Sequence, residues 1–366
     1  MDADTGGGGS LNEMDIQKAT SRYETWLSSH LSIVKEDLAF KHEQMRSAPF
    51  PFLRATYYRW AQIFPEVCEE EAGAPEALAV GDLHVENFGT WRDIEGRLIW
   101  GINDFDEAWR LPYTHDLVRL GTSALLAEMA CDLRAGLNAI LKGYREALEA
   151  GGRPYVLAEH HPALRLMATA RLHQPEPYWE KLHALPDLKE DPPAGALKAL
   201  ADLMPAYGLQ WRLSHRVAGL GSLGRQRYVA VAEWCGGSVA REAKALAPSA
   251  CVWAESGKGT APIHYQEIID QAARCPDPFV RLKKRWIVRR LAPDCSRIEL
   301  SALPKERDEV RLLHAMGWET ANVHLGTAKA RALVRDFDKR PAGWLLKAAK
   351  RMQKAVLDDF GVYSKK

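Results

Sequence analysis

The stretch Ala79-Val80-Gly81-Asp82-Leu83-His84-Val85-Glu86-Asn87-Phe88-Gly89 decides the fold, together with the segment Gly101-Ile102-Asn103-Asp104-Phe105-Asp106. Each is an apolar run that breaks into a polar loop. Residues 91–97 between them are typical of a turn, so we expect the two runs to form a hairpin. A hairpin would bring Asp82 and Asn87 of the first loop close to Asp104 of the second. Three oxygen-bearing side chains at neighbouring strand ends suit a hard cation such as Mg2+ and a hydroxyl nucleophile.

The spacing of these polar residues indicates phosphoryl transfer, although each residue taken singly is typical of a turn. In kinase-type sites an Asp accepts the proton of the substrate hydroxyl, and an Asn five residues later holds a metal. A later Asp, after a short strand, binds the metals that bridge the phosphates. The segment Gly-Asp-Leu-His-x-x-Asn at residues 81–87 looks like the catalytic loop of aminoglycoside-phosphotransferase-type kinases.

That resemblance implies a role for each matching residue. Asp82 would be the catalytic base, Asn87 and Asp104 would be metal ligands, and Asp116 would brace the loop. His84 is a candidate to orient the base or to serve as a structural hydrogen-bond donor. Asp106 stands where many kinases have Gly, and it is a further candidate metal ligand.

Composition limits the expected partners and location. The 366 residues carry a net charge of +1, which gives no reason to expect a nucleic-acid or membrane partner. The sequence has no run of eighteen apolar residues and no signal-peptide pattern. Its six cysteines are scattered without a CxxC pair, so we expect reduced thiols in a cytoplasmic protein.

Composition and periodicity divide the chain into four segments. We expect a flexible tail at residues 1–14, a helix-rich lobe with the two polar loops at 15–212, a small β lobe at 213–300, and C-terminal helices that pack on the large lobe at 301–366. Within the β lobe the sequence predicts strands at 213–218, 228–234, 238–246 and 286–291, and a helix at 262–273.

A glycine-rich segment, Gly219-Leu220-Gly221-Ser222-Leu223-Gly224, lies between the first two of these strands. A dinucleotide fold requires a helix after its glycines, whereas a strand follows here. Strand, glycines and strand form the arrangement of a kinase phosphate-covering loop, although a plain hairpin turn has the same pattern. We therefore expect the backbone at Gly219, Gly221, Ser222 and Gly224 to approach nucleotide phosphates.

Lys244 falls inside the next predicted strand, twenty residues past Gly224. A lysine there would pair with the nucleotide phosphates, and the alternative is a surface lysine that covers apolar area with its stem. In a kinase-type site, a glutamate from the following helix would form an ion pair with this lysine. Glu267 is the better candidate by position, and Glu255 is the other.

The motifs occur in an unusual order, because the glycine-rich segment follows the Asp82 loop by more than a hundred residues. We therefore predict an α+β, protein-kinase-like fold of two lobes, with its small antiparallel β lobe in permuted order. The whole set resembles a bacterial family catalogued as domain of unknown function 2252. The resemblance runs from about residue 40 to residue 330. It rests on Ser47-x-Pro49-Phe50-x-Phe52-Leu53-Arg54, the two polar loops, Asp116-Leu117-x-Arg119-Leu120, the glycine-rich segment and Glu242-Ala243-Lys244.

Motifs and resemblance together predict a phosphotransferase that uses ATP and Mg2+ and acts on the hydroxyl of an unknown small molecule or protein. Three alternatives stay open at this point. The first is transfer of a nucleotidyl (AMP) group on the same fold, and the second is a non-catalytic nucleotide-binding scaffold. The third is a two-metal phosphoesterase, which Asp82-Leu83-His84 suggests but for which the sequence lacks the Gly-Asp-x-x-Asp and Gly-Asn-His clusters.

Overall fold

The structure, a computed structural model, describes residues 14–127, 129, 131–159, 161–169, 175–295 and 306–365. Within these ranges helices and strands are mixed, and every strand pair with a described register is antiparallel. This arrangement confirms the α+β class. The predicted tail at residues 1–14 lies outside the described residues, apart from Met14.

Helices account for most of the regular structure in these ranges. They are α1 (Ile16–His30), α2 (Lys35–Ser47), α3 (Pro49–Ala55), α4 (Tyr57–Val67), α5 (Glu69–Ala72), α6 (Tyr113–Leu126), α7 (Leu133–Ala150), α8 (Pro162–Thr169), α9 (Glu176–His183), α10 (Ala194–Ala201), α11 (Ala250–Ser256), α12 (Tyr265–Gln271), α13 (Glu306–His324), α14 (Ala330–Phe337) and α15 (Trp344–Tyr363). The strands are β1 (Glu76–Ala79), β2 (Phe88–Arg92), β3 (Leu98–Ile102), β4 (Trp109–Pro112), β5 (Tyr155–Val156), β6 (Arg212–His215), β7 (Arg227–Trp234), β8 (Gly237–Ala245), β9 (Arg281–Lys283) and β10 (Trp286–Leu291).

Strands β2 and β3 form an antiparallel hairpin next to the polar loops. Its register pairs Phe88 with Ile102, and the backbone N–H of Asn103 donates to the carbonyl of Asn87 at 3.0 Å. The prediction is wrong about one strand, because the apolar run that ends at Ala79 is β1 and pairs with β4 instead. The Asp82 loop therefore connects two small sheets, and neighbouring segments fix both of its ends.

The largest sheet has five strands in the order β6-β7-β8-β10-β9. Strands β6, β7, β8 and β10 confirm the four predicted strands, and β9 adds an edge strand that the sequence analysis did not predict. One face carries the apolar residues Val229, Val231, Ala240 and Leu291, which pack against Leu182 of α9. Helix α10 packs against β8 and β10, where Gly195 lies beside Trp286 on the opposite face. The sheet is thus covered on both sides.

Helix α6 lies against the Asp82 loop and supports it. All of its residues from Tyr113 to Leu126 are buried, including Asp116 and Arg119. It packs against α15 and contacts β1, so the loop that follows β1 rests on an element that is shielded from water. The described helices are too short or too polar to cross a lipid bilayer.

Helix α2 and the residues just before it hold the glycine-rich segment from outside the five-stranded sheet. The backbone N–H of Val34 donates to the carbonyl of Gly224 at 2.8 Å, and Lys41 Nζ donates to the carbonyl of Gly221 at 3.1 Å. Asp37 pairs with His215 of β6 at 2.9 Å. The N-terminal part of the chain therefore clamps the segment between β6 and β7.

Candidate active site

Asp116 holds the backbone that leads into the Asp82 loop. Its carboxylate accepts the N–H of Val80 at 2.7 Å and the N–H of Gly81 at 2.9 Å. His324 Nε2 of α13 lies 3.0 Å from the same carboxylate, and Tyr144 of α7 lies 2.9 Å from His324 Nδ1. The bracing position that the sequence predicted for Asp116 is confirmed. His324 lies at the end of α13 and connects Asp116 to that distant helix.

Gly81 fixes the distance between the two polar loops. Its φ of +81° is in the left-handed region, and a Cβ at this position would lie 2.4 Å from the carbonyl oxygen of Glu107. Only a residue without a side chain allows this close approach. The Asp82 loop and the segment that carries Asp104 and Asp106 are therefore in direct backbone contact.

Asp82 forms an ion pair with the fully buried Arg119. Arg119 Nε donates to Asp82 Oδ1 at 2.9 Å, and the same guanidinium donates to the carbonyl of Leu53. Its carbon Cζ lies 5.0 Å from the ring centre of Tyr57 and 4.8 Å from that of Trp60. Burial raises the pKa of Asp82 to about 6, and Arg119 opposes this rise without cancelling it. The carboxylate is thus held in one orientation and is poised to take up a proton near neutral pH.

Asn87 offers an unused acceptor next to Asp82. Its amide nitrogen donates to the backbone carbonyl of Asp82 at 3.1 Å. The oxygen Oδ1 is buried and has no hydrogen-bond partner among the described residues. A buried acceptor without a donor is costly unless something positive binds it. The amide oxygen is therefore available to a cation.

Lys244 connects the five-stranded sheet to the second polar loop. The fully buried ammonium lies 2.6 Å from Asp106 Oδ2 and 3.4 Å from Asp104 Oδ1. Burial alone would raise the pKa of Asp104, but Lys244 and Arg289 outweigh it and keep that pKa well below its usual range. Burial and the adjacent Asp104 charge raise the pKa of Asp106 to about 6. Asp104 is therefore the carboxylate that stays ionised.

The donor set of Asn87, Asp104 and Asp106 fits Mg2+. Within the described ranges, no three His, Cys, Asp or Glu side chains are grouped to hold a metal ion by themselves. Mg2+ does not need such a cage, because it keeps several waters and is bound through one or two carboxylates plus substrate phosphates. Asn87 and Asp106 line the same cavity as Asp104, and the Oδ1 atom of each has no hydrogen-bond partner within the described part of the chain.

A second ionic cluster, which the sequence motifs did not predict, is centred on Glu242 of β8. Arg227 donates to this carboxylate at 2.7 Å and Arg216 donates at 2.6 Å, while Arg289 lies 3.3 Å away. Burial opposes ionisation of Glu242, but the arginines keep its pKa below its usual value. One feature of the sequence could have indicated this cluster. Residues two positions apart in a strand point to the same face, so Glu242 lies on the face of β8 that carries Lys244.

Glu267 does not pair with Lys244, which corrects the prediction. Its carboxylate lies 2.6 Å from His264 and 3.6 Å from Arg110, and Glu255, the other candidate, accepts from Trp109 at 3.1 Å. Helix α12 packs beside the edge strand β9, so it carries Glu267 away from the middle of the sheet. The second polar loop supplies the acidic partners of Lys244 instead.

The glycine-rich segment turns back on itself between β6 and β7. The backbone N–H of Ser222 donates to Gly219, that of Leu223 donates to Leu220, and that of Arg225 donates to Ser222. A Cβ on Gly221 would lie 3.2 Å from Asp82 Oδ2, so the segment sits directly against the candidate base. Strand, glycines and strand are confirmed as the local structure, whereas contact with phosphates stays a prediction.

His84 makes a local contact. Its ring nitrogen Nδ1 accepts the N–H of Glu86 at 3.2 Å, and its ring meets Phe50 edge-on at 6.2 Å between centres. Arg119 makes close contacts with the Asp82 carboxylate, and a role of His84 in orienting the base stays a prediction.

Two cavities meet at Asp104. The small cavity has a volume of about 50 Å³, and its lining includes Asp82, His84, Asn87, Asp106 and the segment from Gly219 to Ser222. The second cavity, here called the arginine cavity, has a volume of about 410 Å³, and six arginines line it: Arg216, Arg227, Arg274, Arg281, Arg289 and Arg290. Asn103, Asp104 and Gly219 line both cavities. The residues predicted for catalysis and metal binding therefore all line the small cavity, which adjoins the arginine cavity at Asp104.

The structure thus defines an α+β protein with a buried, carboxylate-rich site beside a glycine-rich turn. Residues 33–183 match a family described as an uncharacterized protein conserved in bacteria, DUF2252. The matched stretch contains Asp82, Asn87, Asp104 and Asp116, whereas the glycine-rich segment and Lys244 lie beyond it. No curated protein and no solved structure matches the chain.

Proposed function

We propose that this chain is a kinase-like enzyme that uses ATP and Mg2+ to transfer a phosphorus-containing group to a hydroxyl acceptor. The observation that carries the proposal is the convergence of Asp82, Asn87 and Asp104 on one cavity, with Lys244 ion-paired to Asp104. These residues come from three separate parts of the chain.

The five-stranded sheet supports the kinase-like assignment in a second way. Its glycine-rich segment lies between the first and second strands, and Lys244 lies on the third. Protein kinases likewise carry their phosphate-binding lysine on the third strand, after a glycine-rich loop. Since chemistry depends on which groups meet in space, the permuted chain order does not weaken the comparison.

The residues divide the chemical work as follows. Asp82 accepts the proton of the acceptor hydroxyl while the hydroxyl oxygen forms a bond to phosphorus, and Arg119 keeps the carboxylate in position. The bond from that phosphorus to its bridging oxygen breaks, and ADP leaves with the bonding electron pair, or pyrophosphate leaves if a nucleotidyl group is transferred. Asn87, Asp104 and Asp106 would hold Mg2+, which when bound offsets negative charge on the phosphates. Lys244 adds a positive charge beside Asp104. The same arrangement serves a terminal phosphoryl group or a nucleotidyl group.

The small cavity restricts the acceptor. A volume of about 50 Å³ admits a few water-sized groups, so this cavity accommodates the hydroxyl end of an acceptor and not a whole molecule.

Thermal unfolding with nucleotides tests the proposal. We expect ATP with Mg2+ to raise the melting temperature, because a ligand at about 100 times its Kd adds about 2.7 kcal/mol to stability. EDTA and the variant Asp104→Asn should each abolish the shift. Asp338→Asn is the matched control, since Asp338 is half exposed and pairs with Arg145 on a distant helix.

Three outcomes would contradict parts of the proposal. No shift with ATP or GTP would remove the nucleotide from the function altogether. A shift that persists in Asp104→Asn would place the nucleotide elsewhere in the protein. Binding that is never followed by any product, even from water, would identify a nucleotide-binding scaffold.

A further inference from the structure

Lys41 of α2 lines the small cavity, although the proposed division of chemical work gives it no role. Only 4% of its surface is exposed, and it shares the cavity with Asp82 and Gly221. Its Nζ donates to the carbonyl of Gly221 at 3.1 Å, and a Cβ on Gly221 would lie 3.2 Å from Asp82 Oδ2. The ammonium and the candidate base therefore border the same residue of the glycine-rich segment.

The ammonium of Lys41 has few partners for a buried charge. Among the described residues it donates to the Gly221 carbonyl and forms no ion pair with a carboxylate. An ammonium has three N–H donors, and a buried charge without an ionised partner is costly. Burial lowers the pKa of Lys41 to about 8, because the negative charges of Glu24 and Glu107 offset the burial only in part. Lys41 is thus positively charged at neutral pH and has donors to spare.

The carboxylates near Lys41 already have other partners. Those whose charge acts on it are paired as follows: Glu24 with His42, Glu107 with Arg225, and Asp82 with Arg119. The remaining carboxylates that line the cavity are paired as well: Glu86 with Arg54, and both Asp104 and Asp106 with Lys244. Within the described ranges, Lys41 is therefore the lining cation that has no carboxylate partner.

Two arginines that line the same cavity also keep unused donors. Arg54 Nε and Arg225 Nη1 are buried and have no hydrogen-bond partner in the described part of the chain. Buried N–H groups are normally satisfied, because leaving them unpaired costs free energy. The cavity thus combines these donors and the Lys41 ammonium with the unused acceptors of Asn87 and Asp106. Such a set suits an anion that lies beside a metal ion.

The volume of the small cavity limits what this anion is. A water-sized group needs about 10–15 Å³ of such space, so about 50 Å³ holds about three to five of them. This room matches the oxygens around one phosphorus atom and is too small for a nucleoside. The acceptor oxygen becomes one of those oxygens when its bond to phosphorus forms, so no space is left for a separate charged group of the acceptor. Phosphate oxygens also accept strong, charge-assisted hydrogen bonds from ammonium and guanidinium groups.

We propose that Lys41 binds the oxygens of the phosphorus-containing group that is transferred, and that this group lies in the small cavity during transfer. The inference rests on the proposed function, because it takes that group to come from ATP. Lys244 is already engaged by Asp104 and Asp106, whereas the ammonium of Lys41 is available to a substrate. Charge is spread over these oxygens in the transition state, so a positive group fixed beside Asp82 stabilises it without exchanging a proton.

Calorimetry of the full chain with ATP, ADP and adenosine, each in Mg2+, tests this role in the variant Lys41→Met. We expect ATP to bind about tenfold more weakly or worse, because a charge-assisted hydrogen bond is lost. Adenosine carries no phosphate, so its affinity should be unchanged. A loss for ATP alone would assign Lys41 to the terminal phosphate, and a loss for ADP as well would assign it to an inner one; both results support the inference. Lys354→Met, on the exposed side of α15, is the control and should change none of these affinities.

Urea unfolding of the unligated proteins separates binding from a purely structural role. Replacing a buried charge by an apolar side chain is often neutral or stabilising, so Lys41→Met should unfold at the same urea concentration as the wild type or at a higher one. If Lys41 serves only to hold the Gly221 carbonyl, the variant should instead lose stability and bind ATP and adenosine equally less well. That result would overturn the inference. Should Lys41→Met fail to fold, Lys41→Gln keeps N–H donors for the carbonyl without the charge, and the same comparison applies to it.

The failure of this inference differs from the failure of the proposed function. Equal affinity of the wild type and Lys41→Met for ATP would overturn the inference and leave the proposed function standing. Absence of ATP binding to the wild-type chain would defeat the proposed function, and the inference with it.

Discussion

Replacing Gly81 with alanine tests whether the two polar loops depend on one close backbone contact. Gly81 has a φ of +81°, and the new Cβ would lie 2.4 Å from the carbonyl oxygen of Glu107 and 2.8 Å from the hydroxyl of Tyr57. A left-handed conformation costs a residue with a side chain about 1–2 kcal/mol. Overpacking against the backbone of a neighbouring loop adds about 1–3 kcal/mol. We therefore expect Gly81→Ala to lower the free energy of unfolding by about 2–5 kcal/mol.

Gly96 provides the matched control. It has a similar φ of +72°, but a Cβ there would meet nothing within 4 Å. Gly96→Ala should therefore cost only the conformational part, about 1–2 kcal/mol. Urea unfolding followed by circular dichroism measures both variants under the same conditions.

The second readout is functional. Relief of the clash must push Glu107 away, and Glu107 directly follows Asp106 and is three residues from Asp104. The Mg2+-dependent thermal shift with ATP should therefore disappear in Gly81→Ala and persist in Gly96→Ala. Equal stability losses in the two variants would refute the reasoning, since the contact with Glu107 would then carry no energetic weight.

Two further predictions concern pH. If Asp82 is the base, kcat/KM should rise about tenfold per pH unit below about 6, the value to which burial raises its pKa, and level off above it; a flat profile would exclude this role. Burial raises the pKa of Glu319 to about 7, above its value of about 4.5 in the unfolded chain. The folded state therefore binds the proton more tightly, and the free energy of unfolding falls as pH rises from about 4.5 to about 7. The loss over this window is about 3 kcal/mol, and Glu319→Gln should remove it; unfolding free energies that keep the same pH dependence in both proteins would contradict the assignment.

The polar loops were predictable because their residues are close in sequence. Asp82 and Asn87 share one loop, and the strand that precedes Asp104 is a clear apolar run, so local patterns were enough to bring them together. Four strands of the large sheet were recognisable for the same reason. The pairing of β1 with β4 was not, because a short apolar run carries no information about which strand it joins.

Contacts between distant segments could not be predicted from local patterns. Lys244 meets Asp104 and Asp106 across about 140 residues, and the expected glutamate lies instead on a helix beside the sheet edge. Arg119 reaches Asp82 because helix α6 is buried beneath the loop. Buried ionic pairings of this kind depend on the tertiary arrangement, and neither charge nor periodicity along the chain specifies them.

The contact between Asp116 and His324 determines when, during synthesis of the chain, the candidate site can be completed. These two residues are 208 positions apart, so the loop that carries Asp82 lacks its final anchor until helix α13 has been synthesised. At translation rates of about 5–20 residues per second, the interval is roughly 10–40 s. During that time the nascent chain must keep a buried carboxylate without its histidine partner. Completion of the site is thereby delayed until most of the polypeptide has left the ribosome.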